Sequence, residues 1–94
     1  MIRQEITVSN RLGIHARPAS LIFQTSLQFE SRIWLEKDDI SADGKSILEV
    51  MTLAAPKGTK ITVCASGKDE ARAVETLVKL FETKFNEDKT PEGV

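Results

Sequence analysis

Alternation of apolar and polar residues predicts the β-strands of this chain. Side chains alternate with a period of two in residues 2–8, 31–37 and 60–66. Residues 40–43 follow the turn-forming pair Asp38-Asp39 and are expected to form a short return strand. In the second and fourth strands the pattern places Trp34 and Cys64 on the face opposite to the apolar side chains.

Three other segments have apolar residues at helical spacing. The first helix is expected to begin at residue 15 or 16, because Pro18 is compatible only with a first turn. The second is expected to begin at Ser46, which forms a capping-box pattern with Glu49, and the third to span residues 68–85. The side chains expected to face the core are Ala19, Ile22, Phe23 and Ser26 in the first helix, Val50, Leu53 and Ala54 in the second, and Val74, Leu77, Val78, Phe81 and Phe85 in the third.

The order of elements, β-α-β-β-α-β-α, predicts an α+β fold. Strands and helices that are each apolar on one side favour a four-stranded antiparallel sheet covered on one face by three helices. This arrangement is an open-faced two-layer β-sandwich. Residues 1–85 are expected to form a single domain, and the charged residues 86–94, which include Pro91 and Gly93, a flexible C-terminal tail.

Composition excludes several classes of function. The 94 residues carry 13 Lys and Arg against 14 Asp and Glu, a formal net charge of −1, without the cationic excess of a nucleic-acid binder. One cysteine, Cys64, and one histidine, His15, exclude an intrachain disulfide and the paired metal-binding motifs. The polar N-terminus does not resemble a signal peptide, and no segment approaches the ~20 apolar residues of a membrane span. We expect a cytoplasmic protein with no metal, no cofactor and no membrane or nucleic-acid partner.

The only histidine lies where a helix is expected to begin. Free backbone N–H groups and the positive end of the helix dipole make such a position an anion site, here formed by Ala16 and Arg17. The Arg17 guanidinium would help to neutralise a phosphoryl group, and Gly13 would let the loop bend close to the site. An imidazole nitrogen in this setting can accept and release a phosphoryl group. The alternative is a surface histidine without a chemical role, and the residues alone leave the two equally open.

Two motifs resemble those of one known family. The segment Leu12-Gly13-Ile14-His15-Ala16-Arg17-Pro18-Ala19 is similar to the active-site signature of the HPr family, the histidine-containing phosphocarriers of the bacterial phosphotransferase system. The segment Lys45-Ser46-Ile47-Leu48 resembles the second signature of that family, which contains a regulatory serine. The order of elements also matches over residues 1–85.

This resemblance implies a function and partners. His15 would be phosphorylated on Nδ1 by Enzyme I, itself charged by phosphoenolpyruvate, and would pass the group to an Enzyme IIA-type domain, with Arg17 assisting. Ser46 would be phosphorylated in some bacteria by an HPr kinase/phosphorylase. The chain would act as a monomeric carrier with a phosphohistidine intermediate rather than as a stand-alone enzyme.

A set of residues around the histidine is expected to contact partners. We call this set the docking face; it comprises Leu21, Gln24, Leu27, Ile47, Leu48 and Met51. Its apolar members lie off the predicted buried stripes, although some could instead be covered by loops. Enteric-type carriers tend to be basic at the positions held here by Gln24, Leu27 and Glu49, so electrostatic steering towards acidic partners should be weaker.

Three classes of function remain open at this point. The first is a phosphocarrier, in a sugar-transport branch or in a nitrogen-related regulatory branch. The second is a regulatory binding module of the same fold that acts through Ser46 and the docking face, although relatives of that kind lack the histidine. The third is a small-molecule-sensing or RNA-binding domain, which the balanced charge and the absence of tyrosine disfavour.

Overall fold

The computed structural model describes residues 1–86 and shows the predicted order of elements. The strands are β1 (Ile2–Thr7), β2 (Arg32–Lys37), β3 (Ile40–Asp43) and β4 (Lys60–Ser66), and the helices are α1 (Ala16–Ser26), α2 (Ile47–Thr52) and α3 (Glu70–Glu82), followed by a 3-10 turn at Lys84–Asn86. Among these residues, no helix has both the length and the apolar character needed to cross a membrane.

The four strands form one antiparallel sheet in the order β1-β4-β2-β3. β4 lies in the interior of the sheet, where Ala65 is paired with Ile2 of β1 and with Ile33 of β2. The inward-facing side chains of the sheet and one stripe of each helix form a single buried cluster. The α+β, open-faced two-layer β-sandwich predicted from the sequence is thus confirmed, with the three helices on one face of the sheet.

The second helix is shorter than its apolar spacing predicts. It ends at Thr52, and Ala54, expected in its buried stripe, is exposed with a φ of 45°. A non-glycine residue in the left-handed region cannot continue a right-handed helix. The Lys37 ammonium donates to the carbonyl of Leu53 at 2.8 Å and so occupies an acceptor that the helix end leaves unused.

The third helix also ends earlier than predicted. It stops at Glu82, and Lys84, Phe85 and Asn86 all have positive φ values, between 55° and 60°. Phe85 is nevertheless fully buried and packs edge-on against Phe81, with ring centroids 4.9 Å apart. The apolar spacing therefore predicted the burial of Phe85 correctly and its backbone conformation wrongly. Of the predicted tail, residues 86–94, only Asn86 lies within the described residues.

The sheet face that carries no helices holds a polar network. Glu36 accepts hydrogen bonds from Arg3 and from the Trp34 indole, the latter at 2.8 Å, and Arg32 lies 4.9 Å from the centre of the Trp34 ring. Cys64 is fully buried beside this network, and burial is the main cause that raises the pKa of its thiol. Trp34 and Cys64 thus lie on the predicted face, and a buried protonated thiol has little reactivity.

Candidate functional site

The only histidine occupies the N-cap of α1. His15 has an extended backbone, with φ −121° and ψ −162°, and its carbonyl accepts the Ala19 N–H at 3.0 Å. Its imidazole does not cap the helix, and its Nε2 atom is buried. The side chain is half-buried overall. The ring is therefore held at the helix start without being used to complete the helix.

The first turn of α1 offers hydrogen-bond donors to an anion. Ala16 and Arg17 are the first two helical residues, so their N–H groups have no acceptor within the helix, and both residues are exposed. Pro18, the third, is buried and has no N–H. No acidic residue lies in this turn to compete for the positive end of the helix dipole. The structure thus places the two predicted donors and the Arg17 side chain at the same helix end as His15.

The loop before His15 is held in a fixed shape. Asn10, which is fully buried, donates from its side-chain amide to the Gly13 carbonyl at 2.7 Å, and the Gly13 N–H donates back to the Asn10 carbonyl at 3.1 Å. Gly13 has a φ of 68°, and a Cβ atom there would lie 2.4 Å from the Ala55 carbonyl oxygen. Only glycine fits this position, because both its backbone angle and its contact exclude a side chain.

The segment after α2 supports the same loop. The Ile14 N–H donates to the Ala55 carbonyl at 2.9 Å, one residue before His15. Ala55 is almost fully buried, and Pro56 lies beside Gly13. No sequence pattern indicated this support, because contacts between residues about 40 positions apart leave no local signal.

The predicted regulatory serine occupies a second helix start. Ser46 is the N-cap of α2, and its hydroxyl accepts the Glu49 N–H at 3.2 Å. The predicted capping box is only half formed, because the Glu49 carboxylate accepts instead from the Asp43 N–H at 2.9 Å. Ser46 is half-buried, and the strongly exposed Leu48 lies two residues further on. A group added to this hydroxyl would therefore lie beside the docking face.

The docking face contains both exposed and half-buried residues. Leu27, Leu48 and Met51 are exposed at 56%, 78% and 41%, and Gln24 is also exposed. Leu21 and Ile47 are instead half-buried and pack against the core, so they border the exposed apolar area rather than form it. Leu12, exposed at 66% in the loop before His15, was not expected here. An apolar residue in a polar loop beside Gly13 was the signal that could have identified it.

The charges around this face are few. The Lys45 ammonium donates to the Phe29 carbonyl at 2.8 Å. Glu49 is occupied by the Asp43 N–H, as described above. Arg17 is exposed and lies two residues after His15. Among the described residues, no group of three or more His, Cys, Asp or Glu side chains is arranged to hold a metal ion.

Known proteins resemble this chain along most of its length. The profile of the family described as "PTS HPr component phosphorylation site" matches residues 2–83. Phosphocarrier protein HPr of Neisseria meningitidis is 44% identical over 87 residues, which cover 93% of this chain and 98% of that protein.

Solved structures agree with the sequence comparison. The crystal structure of HPr-C-His from Thermoanaerobacter tengcongensis superposes with a TM-score of 0.88 at 42% identity, over 93% of this chain and 98% of that chain. Crh is a catabolite-repression protein of Bacillus subtilis described as a dimer with a swapping domain. Its crystal structure superposes with a TM-score of 0.72 at 38% identity, over 89% of this chain and 97% of that chain. A dimeric relative does not fit the monomer expected from the sequence. The extent of these matches shows that the chain belongs to the HPr phosphocarrier family of the phosphotransferase system.

Proposed function

We propose that this protein carries a phosphoryl group on Nδ1 of His15, between Enzyme I charged by phosphoenolpyruvate and an Enzyme IIA-type domain. The observation that carries this proposal is the position of the imidazole beside the two N–H groups that begin α1. The Nε2 atom is buried, and the resemblance to the HPr family implies that Nδ1 is the ring nitrogen that receives the phosphoryl group.

The transfer conserves atoms and charge without a cofactor. The lone pair of neutral Nδ1 attacks the phosphorus on Enzyme I, an N–P bond forms, and the bond from phosphorus to the donor breaks with its electron pair kept by the donor. The Ala16 and Arg17 N–H groups and the Arg17 guanidinium stabilise the negative oxygens of the phosphoryl group. The same geometry serves the onward step, in which a nucleophile on the IIA-type domain attacks the phosphorus and the N–P bond breaks with its electron pair kept by Nδ1.

Partner binding would use the docking face. Leu27, Leu48 and Met51 supply an exposed apolar area next to the site, of the kind that protein interfaces bury. Because Lys45 already has a partner within the protein, Arg17 would supply the main positive charge to an acidic partner. We therefore expect binding to depend on apolar contact more than on ionic strength.

Ser46 phosphorylation would regulate the same face. A phosphate at the N-cap of α2 is compatible with the helix dipole, but it would add about two negative charges beside the apolar residues that partners contact. We expect it to slow transfer from Enzyme I without unfolding α2. A rate with the Ser46→Asp variant equal to that of the unmodified protein would contradict this regulatory role.

A regulatory binding module is the second candidate. The likeness to Crh and the exposed apolar residues beside Ser46 favour it, and it predicts a partner bound equally well after His15→Ala but only when Ser46 is phosphorylated.

The expected monomer also remains a prediction, for which light scattering of the purified protein is the direct measurement.

The proposed function is tested by phosphorylation with phosphoenolpyruvate and Enzyme I. We expect one acid-labile, base-stable label on the wild-type protein, none on His15→Ala, and slower labelling of Arg17→Ala. No label on the wild type, or equal label on His15→Ala, would overturn the proposal. Circular dichroism of each variant separates a chemical defect from a failure to fold.

A further inference from the structure

A lysine at the end of β2 lies where an apolar residue is expected. Ile33 and Leu35 face the helices, and Lys37 has the same parity along the strand, so it is directed to the same side. The side chain is half-buried, which lets its aliphatic part cover the edge of the core while the ammonium reaches a polar partner.

That partner is the backbone that follows α2. The Lys37 ammonium donates to the Leu53 carbonyl at 2.8 Å and lies 3.5 Å from the Ala54 carbonyl. These two carbonyls belong to the peptide groups on either side of Ala54, so their relative direction is set by the φ and ψ angles of that residue. One ammonium placed near both therefore favours the left-handed conformation of Ala54, which an alanine otherwise disfavours.

The segment fixed in this way is the one that supports the histidine loop. The next carbonyl, that of Ala55, accepts the Ile14 N–H at 2.9 Å and contacts Gly13. Ile14 immediately precedes His15. A continuous series of contacts thus runs from the Lys37 ammonium through residues 53–55 to the Ile14 backbone, which directly precedes His15.

We propose that Lys37 is a positioning residue for phosphoryl transfer, which acts by fixing the backbone at residues 53–55 and through it the loop that carries His15. The catalytic part of this inference rests on the proposed function. Lys37 itself contacts neither the imidazole nor the phosphoryl group in this account.

The test compares Lys37→Met, which keeps the aliphatic chain and removes the ammonium, with Lys37→Arg, which keeps a cationic donor. Lys57→Met is the matched control, because Lys57 is an exposed lysine two residues after Ala55. Hydrogen exchange of the Ile14 amide is measured relative to the amides of β4, which report general stability. The initial rate of phosphorylation by phosphoenolpyruvate and Enzyme I is measured on the same samples.

In Lys37→Met we expect the Ile14 amide to exchange roughly tenfold faster while β4 amides change less, because a charge-assisted hydrogen bond has been lost from its support. We expect phosphorylation to slow about three- to tenfold, since a small displacement of a reacting group lowers the rate. Lys37→Arg should restore both quantities, and Lys57→Met should change neither.

Two results would overturn the positioning role. The first is an Ile14 exchange rate that stays unchanged or rises only in parallel with β4, and the second is phosphorylation of Lys37→Met at the rate of Lys57→Met. A wild-type protein that accepts no phosphoryl group overturns the proposed function and the effect on transfer with it. The exchange of the Ile14 amide then still decides whether Lys37 fixes the loop.

Discussion

At the scale of single residues, Gly13 and Ala54 both have a positive φ, which glycine adopts readily and alanine does not. Gly13 has a positive φ that suits its residue type, and it packs so closely on Ala55 that a side chain is excluded. Ala54 has a positive φ of 45° without being glycine. Its conformation therefore costs free energy that the surrounding contacts offset.

Replacing Ala54 by glycine should stabilise the protein by about 1 kcal/mol, because glycine adopts a positive φ without the steric cost of a Cβ atom. Ala71→Gly is the matched control: Ala71 is exposed within α3, where the same substitution should destabilise by about 1 kcal/mol. Urea unfolding of both variants gives the two free energies of unfolding. Destabilisation by Ala54→Gly would contradict the account of this backbone.

At the scale of elements, one carboxylate joins the loop between α1 and β2 to the start of α3. Asp69, the N-cap of α3, accepts the backbone N–H groups of Glu30 and Ser31 at 2.9 and 3.0 Å, and also the Ser31 hydroxyl. The Ser31 hydroxyl bond is the largest cause and, with the backbone donors, lowers the pKa of Asp69 to about 2. The sequence predicted that this helix starts at residue 68, two residues before its first helical residue Glu70, and did not indicate this distant connection.

The hydrogen bonds of Asp69 should make the free energy of unfolding depend on pH below about 4. A carboxyl group whose pKa falls from 3.8 to about 2 on folding stabilises the protein above its unfolded pKa, and this contribution is lost as the pH falls from about 4 to 2. We therefore expect Asp69→Asn to be less stable than the wild type at neutral pH. The difference in free energy of unfolding should shrink as the pH falls through this range, and a constant difference in urea unfolding from pH 7 to 2.5 would contradict the account.

Local patterns predicted much of this fold, and non-local contacts account for what they missed. Alternation and helical spacing identified the seven principal elements and the position of His15, because each depends on residues near in sequence. The end of α2 at Thr52, the support of Ile14 by Ala55 and the role of Lys37 depend on contacts between distant segments. No local pattern reports such contacts, and the burial of Asn10 was missed for the same reason.

At the scale of the whole molecule, exposed apolar side chains are concentrated in α2 and in the segments on either side of α1. Of the six large apolar side chains that are exposed among the described residues, Leu12, Leu27, Leu48 and Met51 lie in the His15 loop, just after α1, or in α2. The remaining two are Met1 and Ile40. This distribution favours a carrier that presents one face to successive partners.

Leu48→Ser should weaken binding to Enzyme I by roughly fivefold or more, because loss of a central apolar contact in an interface commonly costs over 1 kcal/mol. Its free energy of unfolding should change little, since Leu48 is 78% exposed. Ile40→Ser removes another exposed apolar residue, which lies in the β2–β3 hairpin, and should leave binding intact. Titration calorimetry measures the affinity of both variants for Enzyme I. Equal effects of the two substitutions on this affinity would exclude the docking face as the contact surface.

The central claim is that Nδ1 of His15 carries the phosphoryl group at the start of α1. The most direct measurement is the coupling between phosphorus and the ring nitrogens in ¹⁵N-labelled protein phosphorylated by phosphoenolpyruvate and Enzyme I. We predict phosphorus on Nδ1 of His15, together with shifts of the Ala16 and Arg17 amide resonances as their N–H groups bind the phosphoryl oxygens. Phosphorus on Nε2 or on another residue, or no incorporation at all, would contradict the account.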